Sequence, residues 1–559
     1  MKKPLSIGMS DFKQLIEKGC VYVDKTLLIQ ELIEKNSKVS LIPRMRRFGK
    51  TLNLSMLRYF FEKNKKDHRH LFTSLKIWEH ERYRSFQGQF PVIFFSLKDV
   101  KFDSWEQTYK ALKGLIGDEF LRHQYLLEVL NETEKKFYTS IILGEGDEAL
   151  FAKSLVYLTQ WLHRYHKSEV ILLIDEYDTP THAAYVGKFY DKLIPFLRNW
   201  LSGGLKDNSS LKFGVLTGIL RISKETIFSG LNNVSTYTIL SEGFRDKFGL
   251  LESEVKQLLE EYELIDKLSE TRKWYNGYRI GSQEGIYNPW SILNFIANEG
   301  ALAPYWVNTS DNALMKQLIT QGTEDLKADV EVLMKGDTIS KTIDESTDFS
   351  NLEQSPNAIW SLLLFSGYLT LAAAPTYGVP CLLRIPNAEV NELYQSMIFD
   401  WFEKTIHQNN YRLLLKSLTS GDIDTFSQIF QEFLASSVSV FDVAAEEPEK
   451  LYHAFVLGML LGLKDQYEVK SNRESGYGRY DVMLIPKNPS DLGIIMEFKK
   501  VGRFEKSDLE TAVTSALKQI EDKNYAQELL DRGIRRILFL AIAFEGKRVA
   551  FRSKSVSQK

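Results

Sequence analysis

Three groups of residues have the types and spacing to work on phosphate. The first is Gly49-Lys50-Thr51, preceded by the basic run Arg44-Met45-Arg46-Arg47-Phe48. Glycine lets a backbone close around an anion, and amides at a helix start point at phosphate oxygens. Lys50 would reach the β- and γ-phosphates, and the Thr51 hydroxyl would ligate Mg²⁺. The second group is Asp175-Glu176, about 120 residues downstream. Asp175 would hold the magnesium, usually through water, and Glu176 would orient the attacking water. The third is Asp481 with Glu497-Phe498-Lys499. Two carboxylates and the Phe498 carbonyl are hard oxygen ligands suited to Mg²⁺. A metal held there would activate water and neutralise charge at a scissile phosphate, with Lys499 steering or polarising that water.

Gly-Lys-Thr alone is a common surface turn, and the glycine usual five residues before Gly49 is replaced by Arg44. The surrounding elements decide the matter. Residues 39–42 read as a strand and 52–61 as a helix, so the tripeptide falls at a strand–turn–helix junction. Residues 170–174 are five apolar residues in a row, a strand buried on both faces, and they end in the acidic pair. Two carboxylates there are costly without a compensating cation or hydrogen bonds. Further strands are expected at 90–97, which intervenes between these two, at 211–218 and at 236–240. The strand ending at Thr217 should lie beside the loop strand and place Thr217 to sense the γ-phosphate. Arg221 follows, either touching phosphate in cis or in a neighbour's site, or serving as a surface charge at a helix start.

Helices are expected at 27–34, capped by Asp24 or Thr26, at 104–130, at 148–167 and at 184–202, the last ended by Gly203-Gly204. Asp24 and Lys25 could also stand near the nucleotide. Residues 246–300 read as a small helical lid. Residues 300–445 read as mainly helical, with one β segment at 378–386. The C-terminal part has the order α-β-β-β-α-β: helix 449–464, strands 467–470, 479–485 and 492–499, helix 508–530 and strand 536–544. Alternation along a strand sets Glu497 and Lys499 on one face, with Asp481 on the adjacent strand able to face them.

The 559 residues suggest two to four domains. A net charge of -2 neither supports nor excludes a nucleic-acid partner. Residues 446–559 carry 20 Lys and Arg against 17 Asp and Glu, and Lys499, Lys500, Arg503 and Lys506 cluster beside the third group. The two cysteines, Cys20 and Cys381, have no metal-ligand spacing, which suits a reducing cytoplasm. The N-terminus has no signal-peptide pattern. No run of 18 apolar residues occurs, so no transmembrane helix is expected.

The chain resembles the bacterial AAA-ATPase-like family that carries a C-terminal PD-(D/E)XK nuclease domain. The likeness rests on Tyr22-Val23-Asp24-Lys25-Thr26, Arg46-Arg47-Phe48-Gly49-Lys50-Thr51, Leu173-Ile174-Asp175-Glu176-Tyr177-Asp178, Thr217-Gly218 with Arg221, Phe228-Ser229-Gly230-Leu231-Asn232-Asn233 and Trp274-Tyr275-Asn276-Gly277-Tyr278. In the nuclease part it rests on Tyr452-His453, Asp481, Glu497-Phe498-Lys499, and Gln519 with Tyr525. It spans nearly the whole chain and is weakest at 300–380. Met45 stands where the family has proline, which adds one backbone N–H.

The resemblance implies an α/β fold class. A P-loop NTPase domain of the ASCE/AAA-like kind would fill 1–245, with a helical lid at 246–300 and a helical middle region at 301–445. A restriction-endonuclease-like α/β domain would fill 446–559. ATP would be held by Arg46, Arg47, Phe48, Gly49, Lys50, Thr51, Asp175, Thr217 and Arg221, with Mg²⁺ on Thr51 and Asp175 and Glu176 as catalytic residue. In the nuclease domain Asp481, Glu497 and a helix carboxylate, Glu449, would hold Mg²⁺, for which Mn²⁺ can substitute. Lys499 and Gln519 would complete that catalytic set. The expected activity is an ATP-regulated nuclease acting on DNA or RNA in the cytoplasm, with no membrane association and with a homo-oligomer left open. Defence against foreign nucleic acid or mobile-element biology is its setting by fold analogy. The alternative is a signalling ATPase whose nuclease-like domain only binds nucleic acid or a protein partner.

Overall fold

The computed structural model describes residues 2–64, 66–220, 233–306, 324–334, 336–346, 356–394, 396, 408–436, 456, 459–463, 466–475, 478–501, 508–523, 525–545 and 548–557. The chain forms two compact units, Met1–Ser310 with Thr338–Val390, and Asp311–Asp337 with Asn391–Lys559.

The first unit is built on a five-stranded parallel sheet of β1 (Val39–Pro43), β2 (Val92–Ser96), β3 (Val170–Asp175), β4 (Leu211–Gly218) and β5 (Val234–Thr236), in the order β2-β3-β4-β1-β5. Every residue of β1 and β3 is buried, as apolar runs covered by helices on both faces require. The strand ending at Thr217 does lie beside the loop strand, with Thr217 level with Ile42. In space it is this strand that separates β1 from β3, whereas the 92–96 strand lies beyond β3 at the edge. That edge is covered. The Glu119 carboxylate accepts from the Phe94 N–H at 2.9 Å, and Arg122 donates to the Val92 carbonyl at 2.5 Å. Arg122 also pairs with Glu119 and Glu62.

The helix expected to stop at Gly203-Gly204 runs through them, as Tyr190–Leu205. A Cβ on Gly204 would lie 3.1 Å from Leu155 Cβ, so glycine there serves close helix packing and tertiary contact overrides propensity. The segment 104–130 is a helix, Trp105–Arg122, and then a 3₁₀ turn, Gln124–Glu128. The lid segment holds helices Glu252–Glu261, Leu268–Tyr275 and Pro289–Ala297 around a hairpin of β6 (Tyr278–Ile280) and β7 (Gln283–Ile286). The β segment expected at 378–386 contributes β10 (Cys381–Arg384) to a small antiparallel sheet with β8 (Ile339–Lys341) and β9 (Thr370–Leu371).

The second unit holds β11 (Tyr467–Ser475), β12 (Gly478–Pro486), β13 (Gly493–Lys500), β14 (Arg536–Glu545) and β15 (Arg548–Ser557), in sequence order across the sheet. Only the β13–β14 pair is parallel. Alternate side chains serve opposite faces. Leu484, Ile494, Met496, Leu540 and Ile542 pack with the helices Gln408–Ser420 and Ile423–Ser436. Met483, Ile485, Ile495 and Phe539 pack with the helix Leu509–Asp522, among others through Ile520. The core of this unit thus draws on residues both before and after position 446. β15 was not anticipated, and the helix expected at 508–530 is two, Leu509–Asp522 and Gln527–Asp531. Among the described residues no helix is long and apolar enough to cross a membrane.

Candidate active sites

β1 delivers the chain to residues 44–49, and the helix Lys50–Phe61 follows. Two residues of the turn are left-handed, Arg47 at φ 66° and Gly49 at φ 83°. The turn's carbonyls are largely occupied. Those of Arg44 and Met45 accept from Lys50 Nζ at 3.2 and 3.1 Å, that of Arg46 from Asn288 Nδ2 at 3.3 Å, and that of Phe48 from the Gly249 N–H at 3.2 Å. By contrast, no backbone N–H from Met45 to Leu52 donates a bond among the described contacts. Carbonyls satisfied and amides free is the polarity of an anion cradle.

Arg44, in the place of the usual glycine, does not face that cradle. It is fully buried, and its guanidinium donates to the carbonyls of Pro43, Tyr237, Gly243 and Phe244 at 2.6–3.2 Å. Burial lowers its pKa to about 9, which leaves it charged at neutral pH. Phe48 is likewise structural in its ring, buried edge-on against Tyr278 with centroids 5.1 Å apart. Arg46 is half-buried and its charge adds to the burial that lowers the Lys50 pKa. Arg47 is exposed, and its guanidinium lies 4.3 Å from the Trp290 ring centre.

Asp175, at the end of β3, is fully buried and held by hydroxyls. Thr51 Oγ1 donates to Oδ2 at 2.7 Å, Thr217 Oγ1 to Oδ1 at 2.8 Å, and Ser96 Oγ reaches Oδ2 at 3.4 Å. Burial raises its pKa. Glu176 is left-handed at φ 51°, an uncommon backbone for a non-glycine, and accepts from Thr179 Oγ1 at 3.3 Å. The Asp178 carboxylate accepts the N–H groups of Ile219 and Leu220 at 2.8 and 2.9 Å, which fixes the exit of β4. Gly218 must be glycine here, because a Cβ would lie 2.4 Å from Asp178 Oδ1. The fold therefore gathers Lys50, Thr51, Asp175 and Thr217, with Glu176 adjoining, and Arg221 lies outside the described residues. Ser96, Asp178 and Asn288 were not foreseen as neighbours, although the Asp-Glu-Tyr-Asp run held the signal for Asp178. Lys25 is committed elsewhere, paired with Glu254 at 2.7 Å and bonded to the Asp246 carbonyl.

In the second unit the β12–β13 ladder runs from Leu484 opposite Ile494 to Val482 opposite Met496 and then stops. At the next position the Asp481 carboxylate, not a strand carbonyl, accepts the Phe498 N–H at 2.8 Å. Glu497 lies on the same face, 2% exposed. Its Oε1 accepts from Gln519 Nε2 on the covering helix and lies 3.6 Å from Lys499 Nζ. Its Oε2 is buried without a hydrogen-bond partner among the described residues. Burial first, and Asp481 second, push the Glu497 pKa up to about 8, against the pull of Lys499. A buried carboxylate oxygen left unpaired beside a second carboxylate fits a divalent cation. Among the described residues no cluster of three or more metal-ligating side chains occurs. Glu449, Tyr452, His453, Arg503 and Lys506 lie outside the described residues.

Residues 6–228 match the family model for predicted AAA-ATPase, and residues 447–554 match the model for the PD-(D/E)XK nuclease superfamily. Over 554 residues, 95% of each chain, the sequence is 26% identical to a protein of Azotobacter chroococcum mcd 1 called an uncharacterized protein in the vnfD 5′ region. The chain thus carries a predicted AAA-ATPase domain followed, on the same polypeptide, by a domain of the PD-(D/E)XK nuclease superfamily.

Proposed function

We propose that the protein is an ATP-regulated, magnesium-dependent nuclease that cleaves phosphodiesters of DNA or RNA. The observation that carries this reading is Glu497, buried, with one oxygen unpaired beside Asp481 and Lys499. Asp481, Glu497 and the Phe498 carbonyl would hold the metal. Mg²⁺ bound there supplies an activated water and charge neutralisation at the scissile phosphate. Gln519 holds one oxygen of Glu497, which leaves the other, buried oxygen for the metal. Lys499 keeps a positive charge where a phosphate oxygen or attacking water would stand.

The nucleotide would occupy the cradle of free amides at 45–52. Lys50 would leave the two loop carbonyls for the β- and γ-phosphates. Thr51 and Asp175 would share the magnesium, Thr217 would sense the γ-phosphate, and Glu176 would orient water. Two sites on one chain, each with its chemical groups intact, support coupling between nucleotide state and cleavage. The test is incubation with single- and double-stranded DNA and RNA, with Mg²⁺ or Mn²⁺, and with no nucleotide, ADP, ATP or a non-hydrolysable analogue. The reading expects metal-dependent cleavage of at least one substrate, at a rate set by the nucleotide. Absence of cleavage throughout would overturn it.

A further inference from the structure

Arg47 is exposed, sits in a left-handed backbone conformation, and stacks its guanidinium 4.3 Å from the centre of the Trp290 ring. Two residues before Trp290, Asn288 donates to the Arg46 carbonyl. The Asn288 Oδ1 caps the helix Pro289–Ala297 by accepting from the Trp290 N–H at 2.9 Å. One short segment therefore grips the crown of the phosphate cradle at two successive residues. Among the described residues the amides from Met45 to Leu52 are unpaired, and the remaining loop arginine, Arg46, has no side-chain partner.

Resting on the nucleotide-binding reading above, we propose that Trp290 is a positioning residue for ATP: it holds Arg47 in a resting position, and the phosphates draw Arg47 off the indole. A guanidinium lying face-on to an indole at 4.3 Å keeps its N–H groups in the plane of the stack, so a phosphate outside that plane is reached only by leaving the ring. The two partners compete for one side chain. A charge-assisted bond to phosphate is stronger than an exposed cation–π contact, so phosphate wins, at the cost of breaking the stack. The release changes the surroundings of the N-terminal turn of the helix Pro289–Ala297, so occupancy of the cradle is passed to the 278–297 segment.

The competition has a signature that a purely structural tryptophan lacks. Trp290→Leu should tighten ATP binding by roughly two- to fivefold, the range of an exposed cation–π contact. Trp290→Phe, which keeps an aromatic face, should fall between the two. Arg47→Met should weaken ATP binding, and in that background Trp290→Leu should have no further effect. Full-length wild type, the three single variants and the double variant are compared by calorimetry, with ATP as ligand. Wild-type or weaker affinity in Trp290→Leu would overturn the inference, as would a tightening that persists in the Arg47→Met background. Should Trp290→Leu fail to fold, Trp290→Phe decides by the same criterion. If the wild type binds no ATP, the nucleotide reading itself falls, and this inference with it.

Discussion

Thr51 and Asp175, 124 residues apart in sequence, meet as hydroxyl donor and carboxylate acceptor at 2.7 Å. The Asp175 carboxylate is fully buried, and among the described residues it has hydroxyl partners and no ion pair. Lys50, whose charge works against the raised Asp175 pKa, spends its donors on two carbonyls. A buried carboxylate served by neutral donors is under-compensated. Arrival of Mg-nucleotide would give it a cation and turn both the threonine and the aspartate toward one metal.

Lys50→Ala should weaken ATP binding strongly, because it removes the side chain placed for the β- and γ-phosphates. Glu176→Gln should keep binding and stop hydrolysis, since it deletes a water-orienting carboxylate and little else. Calorimetry measures the first and phosphate release the second. Unchanged ATP affinity in Lys50→Ala would refute the assignment of the cradle.

At the second site Asp481→Ala and Glu497→Ala should each lower Mn²⁺ affinity and abolish cleavage, as either change halves the carboxylate charge available to a hydrated cation. Lys499→Ala should do the reverse for binding. It removes a positive charge 3.6 Å from Glu497, so metal affinity should persist or rise. Cleavage should still drop by about 10²-fold, the scale for loss of a positioned electrostatic or proton-transfer group. Metal titration and cleavage assays on the full-length variants separate these outcomes; mild effects throughout would refute the metal-site assignment.

The pH dependence follows from Glu497, whose carboxyl is raised from 4.5 to about 8, chiefly by burial. Without metal the folded protein keeps this proton where the unfolded chain has lost it. The resulting stability is present below the ordinary glutamate range and is lost as pH climbs through about 8. Metal and proton compete for the same oxygens, so Mn²⁺ affinity should rise by up to roughly tenfold per pH unit below that point. Glu497→Gln should flatten the profile. A wild-type affinity independent of pH between 6 and 8 would contradict the raised carboxyl.

Arg44→Ala should destabilise the first unit by about 3 kcal/mol or more, the scale for stripping a buried charged group from its hydrogen-bond partners. Four carbonyls lose a donor and the side chain leaves a void. Arg44→Lys should rescue little, because a compact ammonium cannot span what a planar fork reaches. Denaturant unfolding reads both variants, and a loss under about 1 kcal/mol in Arg44→Ala would show that the guanidinium is dispensable.

The grouping of Lys50, Thr51, Asp175 and Thr217 was legible because these residues lie in short runs. Gly49-Lys50-Thr51 and Asp175-Glu176 each end or begin an element, and the apolar strands beside them are hard to mistake. The neighbourhood of Thr217 could be anticipated from strand order. Contacts made across hundreds of residues could not be. Asn288 under Arg46 and Trp290 under Arg47 depend on how the 278–297 segment folds back, which no local pattern encodes. The role of Arg44 was hidden for a different reason. In sequence it reads as a loop charge, and burial alone turns it into a structural tie. β15 was missed because Arg552, Ser553, Lys554 and Ser555 look like a polar tail, whereas a mostly exposed edge strand can carry just such residues. Gly203 and Gly204 misled in the opposite sense, since packing against Val156 and Leu155 respectively keeps them helical.

The Glu119–Arg122 cover over β2 has a consequence for self-association. A bare edge strand is a template on which a second copy can continue the ladder. Here the Phe94 donor and the Val92 acceptor are already taken by side chains of the same chain. Copies that come together cannot do so by running one sheet into the next through this edge without first breaking a partly buried ion pair. Self-association of this kind would have to use another edge or another surface.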